Sequence, residues 1–162
     1  MNSIKNIKPD KESKFKQGYY KPLNESKYIG TGPIIYRSSW EFKFASYCDN
    51  QPNIIEWSSE PFAIKYLSIY DKKIHRYYPD FYFMLYNNDL NIYEKYIVEI
   101  KPTNHLTKPT IPIKKTKKNI KNYNYLVKQY TTNLSKITAL NEFAKEKGYK
   151  VLILTEKNWI LK

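Results

Sequence analysis

The chain has 162 residues, of which 28 are Lys or Arg and 15 are Asp or Glu, so its formal net charge at pH 7 is +13. This length is typical of one domain, and a hydrophobic content of 41% is enough to form a buried core. The positive charge favours nucleic acid or an anionic membrane surface as a partner, and no apolar run is long enough to span a bilayer. The clustering of lysines after the third predicted strand makes nucleic acid the better explanation and a membrane the poorer one. Only Arg37 and Arg76 are arginines, which indicates that A+T-rich codons contribute to the lysine count.

Cysteine and histidine are too scarce for most metal sites. Cys48 is alone, which excludes an internal disulfide and favours a reducing compartment. Together with His75 and His105 it cannot supply the four ligands of a structural zinc site. Any metal is therefore expected to be a hard cation held by carboxylates.

The first 27 residues are polar and rich in lysine. We interpret residues 1–27 as a basic N-terminal arm and residues 28–162 as a single domain. Within the arm, only Gly18 to Leu23 carries apolar side chains that would pack on the domain. Thr31 to Pro33 is read as a turn that precedes the folded part.

A helix is predicted from Ser38 to Asp49. Trp40, Phe44 and Tyr47 recur at helical spacing and would form one apolar stripe, and Pro52 prevents continuation.

Three strands are predicted next. The first begins at Ile54 to Trp57 and resumes as Phe62 to Leu67, the second covers Arg76 to Tyr86, and the third covers Tyr93 to Lys101. Because a turn-forming cluster at residues 87–91 separates the last two, an antiparallel meander is the simplest arrangement.

The last third of the chain predicts a loop, a helix and a strand. Three prolines after residue 101 mark the loop, residues 117–147 have a helical pattern in one or two segments, and Gly148 is a natural C-cap. Val151 to Leu154 is a continuous apolar run, as expected for a strand buried on both faces. The predicted fold is α/β, with an αβββαβ order and a mixed sheet flanked by helices.

Two segments carry the most informative polar residues, Tyr78-Pro79-Asp80-Phe81 and Val98-Glu99-Ile100-Lys101. Glu99 and Lys101 share one face of their strand because strand side chains alternate. Asp80 lies 19 positions before Glu99 in the adjoining strand and can approach it across the ladder. Asp80, Glu99 and the Ile100 carbonyl would form an oxygen-rich Mg²⁺ site, with Lys101 orienting a water or stabilising developing charge. The alternative is a simple ion pair between Glu99 and Lys101 on a solvated face.

This arrangement resembles the PD-(D/E)XK nuclease superfamily, whose restriction-endonuclease-like core has the same element order. The resemblance implies that an acidic residue of the first core helix joins the metal site, and Glu41 occupies that place. The spacing Ser38-x-x-Glu41 alone favours a capping box instead. Glu60 is a more remote candidate and is read as a surface residue.

A closer resemblance is to the head completion nuclease family of T-even phages. It rests on five segments, and the sequence is less similar to the transposon-end endonucleases, which share the same core. The segments are Gly18–Asn24 (GYYKPLN), Tyr36–Glu41 (YRSSWE), His75–Phe81 (HRYYPDF), Tyr96–Pro102 (YIVEIKP) and Gly148–Glu156 (GYKVLILTE).

The resemblance implies a metal-dependent deoxyribonuclease of low sequence specificity. Its catalytic set would be Glu41, Asp80, Glu99 and Lys101, with Mg²⁺ as cofactor and Mn²⁺ as a substitute. It would act on packaged DNA so that filled heads join tails, with portal or neck proteins as further partners, in the host cytoplasm during assembly or in the virion. Two alternatives stay open: a structural head–tail joining protein with a vestigial nuclease fold, and a branch-resolving or transposon-end endonuclease.

Residues that would contact DNA are predicted mainly after the third strand. Residues 101–136 contain nine lysines and no acid, which suits a phosphate-backbone groove. Tyrosines interleave with these lysines and are expected to be buried rather than stacked on bases. The predicted DNA-binding residues are Arg37, Arg76, Lys114, Lys115, Lys117, Lys118, Lys121, Asn133 and Lys136, although Asn133 and Lys136 fit solvated helix positions equally well.

Overall fold

A computed structural model describes residues 16–159. The part of the predicted arm before residue 16 lies outside the described residues. The strands are β1 (Gly18–Tyr20), β2 (Ile34–Tyr36), β3 (Ile54–Ser59), β4 (Ile64–Leu67), β5 (Ile74–Tyr77), β6 (Phe81–Asn87), β7 (Ile92–Ile100) and β8 (Lys150–Leu154). The helices are α1 (Ser39–Asn50) and α2 (Lys117–Lys147), with short 3₁₀ turns at Glu25–Lys27 and Thr103–His105.

The central sheet has four strands in the order β3-β6-β7-β8. β6 is antiparallel to both β3 and β7, whereas β7 and β8 are parallel. The parallel pair is possible because α2 returns the chain to the same end of the sheet, as a crossover connection must. The predicted α/β class and mixed sheet flanked by helices are confirmed.

The two faces of this sheet are covered by different helices. Val98 and Ile100 of β7 pack in one core with Phe44 of α1, and Ile97 packs in a second core with Leu140 of α2. Alternation along β7 therefore places Glu99, like Ile97, on the α2 face. The predicted division of β7 into two faces is correct.

Two of the three predicted strands are each divided into two. β3 pairs with β6 in the central sheet, but β4 pairs with β5 in a separate two-stranded ribbon, so the stretch from residue 54 to 67 is not one strand. β5 and β6 are likewise separate, and Pro79 lies between them. Proline lacks an N–H for the ladder, which explains the break there.

Both helices end where their caps predict. Ser38 caps α1 by accepting a hydrogen bond from the Glu41 N–H, and Gly148 closes α2 in the left-handed conformation with φ 69°. α2 is one continuous helix of 31 residues. The predicted stripe of α1 is partly wrong, because Tyr47 is exposed and Cys48 is fully buried. Neither helix in the described part of the chain is long and apolar enough to cross a membrane.

β8 lies at the edge of the central sheet, and its side chains are less buried than predicted. Leu154 is buried, but Val151 is only half-buried. Both faces of β8 do pack on a core as predicted, with Leu152 and Leu154 on the α1 side and Val151 and Ile153 on the α2 side. The burial is only partial because no strand among the described residues pairs with the outer edge of β8.

The described part of the predicted arm packs against the domain. β1 pairs with β2, and the Asp49 carboxylate accepts bonds from the Leu23 N–H at 2.7 Å, the Asn24 N–H at 3.0 Å and the Tyr20 hydroxyl at 2.9 Å. Asp49 is fully buried at the end of α1. The division predicted between residues 27 and 28 thus does not coincide with a change in packing.

Replacing Asp49 with alanine is expected to lower the free energy of unfolding by about 3 kcal/mol, because it removes three hydrogen bonds that the charged, buried carboxylate accepts. Urea denaturation followed by fluorescence measures this loss. Asp89→Ala is the matched control, since Asp89 lies exposed in the β6–β7 turn. Equal losses in the two variants would show that Asp49 does not fasten the N-terminal segment.

Candidate active site

The β6–β7 hairpin brings the two predicted carboxylates together. Phe81 pairs with Val98 and Tyr82 with Ile97, so extending the register by one residue places Asp80 opposite Glu99. The Asp80 carboxylate is fixed there because its Oδ2 accepts a hydrogen bond from the Ile100 N–H at 2.6 Å. A local hairpin with fixed register thus positions both acids on the α2 face of the sheet.

Lys101 lies between these carboxylates. Its Nζ is 2.9 Å from Glu99 Oε1 and 3.7 Å from Asp80 Oδ2, and it donates to the Ile100 carbonyl oxygen at 3.1 Å. The alternative of a solvated ion pair is not what the structure shows, since the Glu99 side chain is only 4% exposed and that of Lys101 22%. Oxygen atoms of Asp80, Glu99 and Ile100 therefore converge on the Lys101 ammonium.

Burial and the charges in this cluster shift the pKa values of Glu99 and Lys101. Burial raises the pKa of Glu99 to about 7, with the Asp80 charge adding to the rise and Lys101 opposing it. Burial disfavours the charged form of Lys101, but the Asp80 and Glu99 carboxylates outweigh it and raise the Lys101 pKa above its ordinary value. The buried site therefore favours the neutral form of Glu99, whereas Lys101 stays protonated at neutral pH.

Glu41 approaches the same cluster from the N-terminus of α1. Its Oε2 accepts a bond from the Arg37 N–H at 2.7 Å, and its Oε1 accepts one from the Ser38 hydroxyl at 3.0 Å. Burial raises the pKa of Glu41, the Arg37 N–H opposes the rise, and the Asp80 charge adds to it. Glu41 therefore has the helix-capping contacts expected from its spacing and also lies near enough to Asp80 for their charges to interact.

The donor set suits a hard divalent cation. Glu99 Oε2 is buried and has no hydrogen-bond partner, so a carboxylate oxygen is available at the point where the other donors meet. Mg²⁺ is commonly held by one or two carboxylates together with waters and a phosphate, which matches Asp80, Glu99 and the Ile100 carbonyl. No group of three His, Cys, Asp or Glu side chains with metal-ligand geometry occurs among residues 16–159, so Glu41 is not preassembled as a third ligand.

Of the two helix residues predicted to face the phosphate, only Lys136 lies at the site. Its charge interacts with Lys101, Glu99 and Asp80, and its ammonium lies 5.3 Å from the ring centre of Tyr77. Burial, followed by the Lys101 charge, lowers the pKa of Lys136. Asn133 is instead 4% exposed and donates to the His105 carbonyl at 3.3 Å, so the prediction that it faces DNA is not supported by its position.

The two arginines have different surroundings. The Arg37 guanidinium forms an exposed ion pair with Glu60 at 2.6 Å, so Glu60 is a surface residue, as the sequence analysis favours. Arg76 is exposed on β5 and has no ion pair among the described residues. Tyr77 contacts Lys136 at the site but is not among the predicted site residues. Its position three residues before Asp80 in an alternating strand pattern was the signal that could have identified it.

The lysines predicted to bind DNA along α2 are exposed but lie away from the carboxylates. At 1.5 Å per helical residue, Lys117 is roughly 28 Å from Lys136. This separation arises because α2 is one continuous helix, so its first turn lies far along the helix axis from Lys136. These lysines can therefore contact a DNA backbone only at a distance from the carboxylates, on the order of one helical turn of duplex. They are Lys114, Lys115, Lys117, Lys118 and Lys121.

The fold is of the restriction-endonuclease-like class of nucleases. It has the two antiparallel ladders and the parallel edge strand of that class, and an acid–acid–lysine cluster at the end of the central hairpin. Residues 51–156 match the TnsA-like endonuclease N-terminal family. The chain belongs to this family. It is also similar to the head completion nuclease of Enterobacteria phage T4, with 32% identity over 140 residues that cover 86% of this chain and 90% of that protein. No solved structure matches the chain.

Proposed function

We propose that this protein is a metal-dependent deoxyribonuclease that cleaves DNA with little sequence preference. The observation that carries the proposal is that Asp80, Glu99 and the Ile100 carbonyl converge on the Lys101 ammonium. A second, buried oxygen of Glu99 has no hydrogen-bond partner there. The endonuclease family match and the T4 relative support the same reaction class.

The chain's own residues divide the work of phosphodiester hydrolysis. Water attacks phosphorus and loses one proton to solvent, the bond to the leaving nucleotide oxygen breaks, and that oxygen takes up one proton from solvent. Lys101 is protonated because the carboxylates beside it raise its pKa, so it acts through charge and hydrogen bonding rather than as a base. Asp80 and Glu99, joined by Glu41 if its capping contacts yield, would hold Mg²⁺ or Mn²⁺. When bound, the ion acidifies a water and polarises the phosphate.

The direct test is incubation of the purified protein with plasmid and linear duplex DNA. Nicking or degradation that needs Mg²⁺ or Mn²⁺ and stops with EDTA supports the proposal. DNA that stays intact with either metal contradicts it. Branched and transposon-end substrates belong in the same experiment, because preferential cleavage of either would favour the more structure-specific class of endonuclease.

We further propose that the enzyme acts on packaged phage DNA during head completion, in the host cytoplasm or in the virion. This role rests on the similarity to the T4 protein. Portal or neck proteins would then be its partners. A phage carrying Lys101→Ala should accumulate filled heads without tails. Normal head–tail joining by that variant would instead favour a structural joining protein.

Neutralising the exposed lysines before and at the start of α2 is expected to weaken DNA binding and its salt dependence. Changing four of them to glutamine removes up to four phosphate contacts, which lowers the slope of log affinity against log salt by up to about 3.6. Binding isotherms at several salt concentrations measure this. The neutralised residues are Lys114, Lys115, Lys117 and Lys118.

A control variant with the same loss of charge separates local contacts from the general field. It changes four exposed lysines elsewhere to glutamine: Lys43, Lys145, Lys147 and Lys157. If both variants have the same slope, the lysines near α2 are solvated surface residues and do not line a DNA groove.

A further inference from the structure

The β4–β5 ribbon has one buried face and one open face. Ile64, Tyr66 and Tyr77 are buried and pack in the core formed with Leu140 of α2. The Ile69 N–H also donates to the Ser135 hydroxyl of α2 at 3.0 Å. The ribbon is therefore held firmly on α2, and the direction of its outer face is fixed.

The outer face presents two cations side by side. Lys65 is directly opposite Arg76 in the antiparallel register, and both are exposed. Neither forms an ion pair among residues 16–159. Like charges in opposed positions destabilise a two-stranded ladder. A polyanion placed across the pair would remove this repulsion.

The remaining charges on the ribbon are also mainly positive. Lys72 and Lys73 lie exposed in its turn, and Asp71, the one acid of residues 64–77, lies 2.8 Å from the His75 ring. The ribbon thus carries an uncompensated positive charge from its turn to its base.

The base of the ribbon leads directly into the candidate active site. Tyr77 ends β5 three residues before Asp80, and its hydroxyl donates to the Lys136 carbonyl at 3.0 Å. Arg76 lies only four residues before Asp80 in the chain, so their Cα atoms are at most about 14 Å apart. A duplex bound at the carboxylates is therefore wide enough to reach the Lys65–Arg76 pair with its phosphate backbone.

We propose that the outer face of the β4–β5 ribbon contacts the phosphates of duplex DNA through Lys65 and Arg76 and guides the duplex toward Asp80. The inference rests on the proposed nuclease function, which it extends by a substrate-docking element separate from the α2 lysines. Recognition by two phosphate contacts adds affinity without sequence preference.

The test compares a ribbon variant, Lys65→Gln/Arg76→Gln, with a matched control, Lys43→Gln/Lys145→Gln. Each removes two exposed positive charges, but Lys43 is on α1, which covers the other face of the sheet, and Lys145 is in the last turn of α2 rather than on the ribbon. Binding to a short labelled duplex is measured in EDTA, so that no cleavage occurs. The ribbon variant should bind roughly tenfold more weakly, and its salt slope should fall by about 1.8. Its melting temperature should be unchanged or slightly higher, because the repulsion is gone.

Each possible result has a separate meaning. Equal affinities for the two variants would overturn the ribbon proposal, even if the native protein cleaves DNA. If only the ribbon variant binds DNA more weakly and the native protein cleaves no DNA, docking of DNA on the ribbon is supported and the proposed nuclease function is contradicted. Exposed Leu67 and Ile74 lie farther along the same face, so vesicles containing anionic lipid form the last comparison. Ribbon-dependent vesicle binding without ribbon-dependent DNA binding would overturn the proposal in favour of a membrane contact.

Discussion

Replacing Lys101 with alanine is expected to lower the rate of DNA cleavage by a factor of about 10² to 10³, the usual effect of removing one donor that stabilises a transition state. The ammonium has a fixed position, 2.9 Å from Glu99 and 3.7 Å from Asp80. Because both carboxylates keep it protonated, its loss removes a positive charge that solvent cannot replace in so buried a place. Cleavage of a labelled duplex under single-turnover conditions measures the effect.

Lys150→Ala is the matched control for this experiment. Lys150 is ion-paired with Glu94, which lies on the same strand as Glu99 but at the other end. The two variants thus each break one lysine–glutamate pair of the central sheet. Only Lys101→Ala should lose cleavage, while circular dichroism should show both to be folded. Equal activity in the two variants would exclude Lys101 from catalysis.

The catalytic hairpin could be predicted from the sequence because its geometry is local. Alternation in β7 assigns Glu99 and Lys101 to one face, and an antiparallel return within twenty residues leaves little freedom for Asp80. The resemblance of the surrounding segments then indicates what this cluster does. Local periodicity also predicts both helices and their caps, since a cap depends only on neighbouring residues.

Features decided by long-range packing were not predicted. The separate ribbon exists because Ile64 and Tyr77 pack on α2, about sixty residues farther along the chain, and no periodicity within β4 or β5 encodes that partner. Asn133 shows the same limit, since its bond to the His105 carbonyl depends on where a loop lies. The lysines near α2 follow the catalytic strand closely in sequence, but the continuous helix α2 places them far from the site.

Glu99→Gln is expected to abolish cleavage and yet stabilise the metal-free protein above neutral pH. In the folded state the Glu99 pKa is raised from 4.5 to about 7 by burial and by Asp80. Because the folded state binds the Glu99 proton more tightly than the unfolded state, this proton contributes its full stabilisation below pH 4.5. That stabilisation is lost as the pH rises through about 7. At about 1.4 kcal/mol per pKa unit, the native protein loses on the order of 3 kcal/mol over this range.

Glutamine keeps the shape of the side chain and carries no charge, so the variant should lack this loss, while Asp80 and Glu41 still compensate Lys101. Urea denaturation in EDTA at pH 5 and pH 8 measures the difference, which should be small at pH 5 and favour the variant at pH 8. Mg²⁺ should then stabilise the native protein but not the variant, because binding to the folded state alone shifts unfolding. If Mg²⁺ stabilises both proteins equally, Glu99 is not a metal ligand. If the two stabilities follow the same pH dependence in EDTA, the pKa of Glu99 is not raised in the folded protein.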